Sequence, residues 1–162
     1  MKDTSEKYSQ LFLLLTEAVK EFLQEVKKHK LQDMATKEWT IKDELCHIVF
    51  WHNYYAQNYA AVAAGILPFL FVSKGGSTRN QEGVTALNRK SYRYLLALLN
   101  RAQTSLYNSI VVKKVPKMTY IVGRDYSTED FLTMIAGHIQ RHTILVRRAK
   151  QQNNQDRHSR FS

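Results

Sequence analysis

Along residues 131–149, Phe131, Ile135, His138, His142, Leu145 and Ala149 recur at intervals of 4, 3, 4, 3 and 4. That rhythm keeps six side chains on one face of an α-helix. A helix with one apolar stripe must bury it against another element, so this stretch constrains the fold more than any other. Its N-cap is read at Ser127, with Asp130 in the capping-box position, and it ends at about Gln151.

Three other stretches share the pattern. Tyr8, Leu11, Leu15, Val19, Phe22 and Val26 mark a first predicted helix over about 5–30. A second starts at the N-cap Thr40, with Asp43 in the box position, and runs to about Ala64, where Gly65 suits the stop. A third runs from Glu82 to Ile110, with Val84, Leu87, Tyr94, Leu98 and Ala102 as its apolar face. With 2 prolines and 6 glycines in 162 residues, little interrupts these helices. The expected fold is all-α, an antiparallel four-helix bundle with long crossover loops. Residues 1–150 form one domain, and 151–162 are a polar basic tail expected to be flexible.

The two long connections are 65–81 and 111–126. Loops of this length often form lids or pocket walls. "MTYIV" in the second reads as a short strand or an extended strap. "GILPFLFV" in the first is apolar where a solvated loop should not be. It is the lid candidate, with packing over the bundle end or a dimer surface as its alternatives.

Hydrophobic residues make up 44% of the chain, a globular composition. No apolar run approaches the roughly 20 residues that span a bilayer. The polar N-terminus has no signal-peptide pattern, and a cytoplasmic location follows as the default. The single cysteine, Cys46, excludes an internal disulfide and a multi-cysteine zinc site. It reads as a small buried side chain. The net charge of +10 would attract nucleic acid, an anionic membrane or an acidic small molecule. The charge is spread, apart from a basic C-terminal end, and no nucleic-acid motif accompanies it. It reads as a solvated basic surface, with nucleic acid the weakest of the partners considered.

His138 and His142 occupy two of the six seam positions. Buried imidazoles need a partner for each nitrogen, and two stacked one turn apart do not easily satisfy each other. A divalent metal ion takes a lone pair from each, and an i, i+4 pair is suited to hold one. The competing reading is a satisfied or surface pair. A third ligand is sought on the second predicted helix. Its strongest seam is Ile41, Leu45, Ile48, His52, Tyr55, Tyr59 and Val62. By periodicity His52 faces the core, and His47 lies on the flank with Glu44, Trp51 and Tyr54.

"EWTIKDELCHIVFW" resembles the "WSxxExLxHLxxx" signature of the DinB-like (DinB/YfiT) four-helix-bundle superfamily. In that signature a tryptophan precedes the helix and a ligand histidine follows eight residues later, as His47 follows Trp39. "TEDFLTMIAGHIQRHTILVRRAK" resembles the family's last ligand helix. "FWH" at 50–52 resembles the branch containing the DfsB- and ClbS-type self-protection proteins. The resemblance follows the order of elements over roughly residues 8–150 and is specific at these stretches. It implies a site of His47, His138 and His142 around a divalent ion, typically zinc or nickel, and overrides the periodicity preference for His52. It also implies metal-dependent hydrolysis or thiol transfer on a small reactive or toxic compound, as in stress protection or detoxification. Homodimers are frequent among such proteins. A non-catalytic binding or sequestering protein is the alternative on the same fold.

Around such a site, Glu44, one turn before His47, would orient the His47 ring or be a solvated first-turn acid. Trp51, Tyr54, Tyr55, Phe69 and Phe71 would line a pocket or fill the core, and His52 would do either. Arg141 and Arg147 are candidates to hold an anionic substrate, against a default of solvated positions.

Overall fold

A computed structural model describes residues 4–70 and 76–159. These are mostly helical. The order is α1 (Thr4–Val26), α2 (Ile41–Ala63), α3 (Gly76–Leu87), α4 (Tyr92–Tyr107), a π-helical turn (Asn108–Val112), β1 (Lys117–Ile121), β2 (Arg124–Ser127) and α5 (Thr128–Ser159). No helix among the described residues is long and apolar enough to cross a membrane.

α1 buries Tyr8, Leu15, Val19, Phe22 and Val26 and packs along α5. α2 is buried on nearly every side, because α4, α3 and α5 all pack against it. Its start is fixed by local chemistry. Thr40 Oγ1 accepts from the Asp43 backbone N–H at 3.2 Å, and Asp43 Oδ2 accepts from the Thr40 backbone N–H at 3.0 Å. This reciprocal box satisfies two N–H groups that the helix leaves unpaired. Just upstream, Trp39 is held by its backbone N–H to Thr36 Oγ1 at 3.0 Å and by its carbonyl, which accepts from Ala35 N–H at 2.9 Å.

The third predicted helix is two helices. Ser91 caps a new start by accepting from Tyr94 N–H, so α3 ends at Leu87 and α4 begins at Tyr92. The buried face of α4 is Leu95, Leu99, Ala102 and Leu106, while Tyr94 is exposed. The expected face was therefore rotated by one residue along Tyr94 and Leu98. The first long connection is also shorter than read, because α3 starts at Gly76.

"MTYIV" falls in β1 and its turn, paired antiparallel with β2 from Lys117↔Ser127 to Ile121↔Arg124. Gly123 closes the hairpin at φ 77°, a conformation that glycine adopts without steric cost. The hairpin leads directly into α5, whose first residue ties two elements together. Thr128 Oγ1 donates to the Val115 carbonyl at 2.6 Å, so the Tyr59 hydroxyl, 3.2 Å away, must donate to Thr128 Oγ1. α5 therefore starts beside the end of α2 and runs back along it. It continues to Ser159, past the expected end near Gln151.

The strap after α2 is held by backbone contacts. Buried Asn58 accepts from Phe69 N–H at 2.8 Å and donates to the Phe69 carbonyl at 3.0 Å. The Tyr54 hydroxyl donates to the same carbonyl. Ile66, Leu67, Phe69 and Leu70 are exposed. Phe71 and the rest of the lid candidate lie outside the described residues.

α3 lies close on α2 because residue 83 has no side chain. A Cβ there would sit 2.4 Å from Cγ of Phe50. Gly83→Ala should therefore cost about 1–3 kcal/mol through overpacking, despite alanine's better helix propensity. Urea denaturation measures this. Pairing it with Phe50→Ala should be clearly less than additive, because the obstructing ring is gone.

Candidate metal centre

The antiparallel run of α5 on α2 brings three imidazoles together. His47 comes from α2, and His138 and His142 come from successive turns of α5. His138 Nε2 lies 3.0 Å from His47 Nε2 and 3.0 Å from His142 Nε2. Each ring offers one nitrogen, and the three nitrogens lie within 4.8 Å of one another. His47 is buried, while His138 and His142 are half-buried. The middle of the buried α5 stripe is Ile135, Ile139, Thr143 and Val146, so the two histidines sit at its edge rather than in a central seam. That edge position gives the cluster both a dry side and an open side.

Hydrogen bonding cannot satisfy this arrangement. A ring nitrogen carries either one proton or one lone pair, so His138 Nε2 can bond only one of its two close neighbours. The tautomer of His142 is also set. Its Nδ1 lies 2.5 Å from Glu44 Oε2, where a carboxylate can only accept, so Nδ1 bears the proton. In the neutral ring, His142 Nε2 then presents a lone pair inward. Two ligand nitrogens about 2.0–2.1 Å from one ion stand roughly 3 Å apart at tetrahedral or right angles. The two 3.0 Å spacings about His138 suit that, and the three histidines could hold a metal ion.

Glu44 is fully buried. The solvated first-turn reading is thus corrected, and the ring it orients is His142 across the helix interface rather than a neighbour on its own helix. Its Oε1 has no hydrogen-bond partner among the described residues.

His52 does not join the cluster. It is buried on the side of α2 that faces α4, where the Gln103 amide acts against the burial that depresses its pKa to about 4. The periodicity reading placed His52 in the core, and that is where it lies. Cys46 is buried and free, and burial lifts its thiol to about 11. It stays protonated and away from the ring nitrogens.

The cluster opens into a cleft of about 380 Å³. Trp39, Trp51 and Tyr55 give it aromatic walls, and the Trp39 ring centroid lies 5.0 Å from that of His47. Tyr54 and Phe69 do not line it. Arg141 does, whereas Arg147 is engaged by Glu21 at 2.8 Å and by Glu25 at 3.5 Å. Asn80 on α3 is a lining residue that the sequence did not reveal. It accepts the Trp51 indole N–H at 2.8 Å, from a stretch that reads as loop.

No family model, curated protein or solved structure matches the chain.

Burial, followed by repulsion from the neighbouring rings, pushes both His47 and His138 down to about 3. Their folded values lie below the ordinary value of 6.5, so the unfolded chain takes up protons first as pH falls. Stability from these groups, and from His52, is complete above about 6.5 and is lost progressively toward 3. The thermal midpoint of metal-free protein should fall between pH 7 and pH 5, and His52→Gln should flatten the slope. A midpoint that does not move over that range would contradict this.

Proposed function

We propose that this chain is a metal-dependent enzyme of the DinB-like kind, built on an antiparallel bundle of α1, α2, α4 and α5. It would hold zinc or nickel on His47, His138 and His142 and act on a small reactive compound by hydrolysis or thiol transfer. The observation that carries this is the convergence of three Nε2 atoms whose two 3.0 Å contacts cannot both be hydrogen bonds.

Three neutral imidazoles leave coordination positions open, as catalytic rather than closed structural sites do. A bound ion would supply Lewis acidity, lowering the pKa of a water or thiol at neutral pH. The chain's own residues do the rest. Glu44 keeps the proton of His142 on Nδ1 and so keeps its Nε2 free to coordinate. Trp39 packs against His47 and limits its rotation. The aromatic walls exclude bulk water from one side of the cleft, which strengthens electrostatic interactions there. The Cys46 thiol is buried, so a nucleophile would have to come from solvent or from a co-substrate.

Protein purified without a histidine tag should carry close to one zinc or nickel per chain by elemental analysis. His138→Ala/His142→Ala should carry almost none. Wild-type protein that is metal-free and whose melting is unmoved by added zinc or nickel would sink the reading. Glu44→Gln provides a finer test. It should weaken metal affinity roughly 10–100-fold, as loss of a supporting carboxylate typically does. Competition with a chromophoric chelator reads that change directly.

A further inference from the structure

The polar groups around the cleft are unevenly matched. Arg141 lines it with a permanent positive charge, and no carboxylate pairs with that charge among the described residues. This contrasts with Arg147 two turns on, whose guanidinium is already held by Glu21 and Glu25. Asn80 contributes donors as well. The Trp51 indole can only donate, so Asn80 must turn its Oδ1 toward Trp51 and its amide N–H groups elsewhere. Those N–H groups bond nothing among the described residues. The carboxylate of Glu44, which would repel an anion, is fully buried behind the His142 ring. Trp39, Trp51 and Tyr55 line the same cleft as Arg141 and Asn80.

A guanidinium fork and an amide donor match the acceptor oxygens of a carboxylate, and aromatic walls match a flat apolar body. A cleft of about 380 Å³ suits a small organic molecule. We propose that this cleft takes a small planar organic acid, with its anionic head on Arg141 and Asn80 and its flat body against Trp39, Trp51 and Tyr55. The assignment rests on reading the cleft as a substrate site and names the class of substrate that site accepts.

The chain has 2 tryptophans, and both line the cleft, so their fluorescence reports its occupancy. Zinc-loaded protein is titrated with 1-naphthoate and with the neutral 1-naphthamide. The acid should bind about tenfold more tightly or better, the scale of a charge-assisted hydrogen bond. Arg141→Gln should bring the two ligands to within about twofold, and Arg141→Lys should keep part of the preference. Arg148→Gln, which removes an exposed charge from the same helix, should leave the ratio unchanged.

Equal binding of acid and amide to wild-type protein would overturn the proposal. So would an acid preference that survives Arg141→Gln, including one that disappears when zinc is chelated, because the ion would then be the anion's partner. Elemental analysis of the same samples separates the two readings. Full zinc with no acid preference defeats the substrate class alone. Absent zinc defeats the metal reading, and the acid-to-amide ratio in the metal-free protein then decides the substrate class independently.

Discussion

Glu44 is a carboxylate cut off from water, and His142 is the ring that meets it. Removing such a charge from solvent costs several kcal/mol unless a partner offsets it. The Nδ1 proton of His142 is that partner, and providing it turns Nε2 toward His138 and His47. The orientation of the cluster thus follows from the need to accommodate one buried charge. For the contact to exist, α5 must lie on α2 in a single register. The Tyr59–Thr128–Val115 chain of hydrogen bonds secures that register at the far end of the same interface. A slip of one turn there would separate Glu44 from His142 and His47 from His138 together.

The parts of the fold legible in the sequence were those decided by neighbours along the chain. The capping box of Thr40 and Asp43 is a matter of residue type at fixed offsets, and the structure forms it as read. The one-turn spacing of His138 and His142 likewise needs nothing but a helix. The face of α4 was less legible because Tyr94 and Leu95, and Leu98 and Leu99, are adjacent apolar pairs. Two stripes about 100° apart fit such a sequence equally well. The cap at Ser91 was hidden because apolar spacing on either side of it suggested one continuous helix.

The partner of the His138–His142 pair was out of reach of periodicity for a different reason. A helix buried on one side has one answer to which residues face inward, but α2 is covered by α3, α4 and α5 at once. His47 and His52 are both inside. One faces α5 and its histidines, and the other faces α4 and Gln103. Periodicity alone does not distinguish them; the Trp39–His47 spacing and the tertiary contacts do. The same ambiguity concealed Glu44, whose position in the first turn is equally natural for a solvated acid and for a buried one. Asn80 carried no signal, since α3 is short and polar and its role depends on meeting Trp51 across a helix interface.

The strap that follows α2 is gripped at Phe69 through its peptide N–H and carbonyl, by Asn58 and Tyr54. Every residue except proline presents that same pair of groups. At Phe69 the strap's path is therefore set by α2 through the backbone, whatever side chain stands there. Its surface chemistry can change from one sequence to another while the loop stays where it is. The anchoring residues, one of them fully buried, have no such freedom.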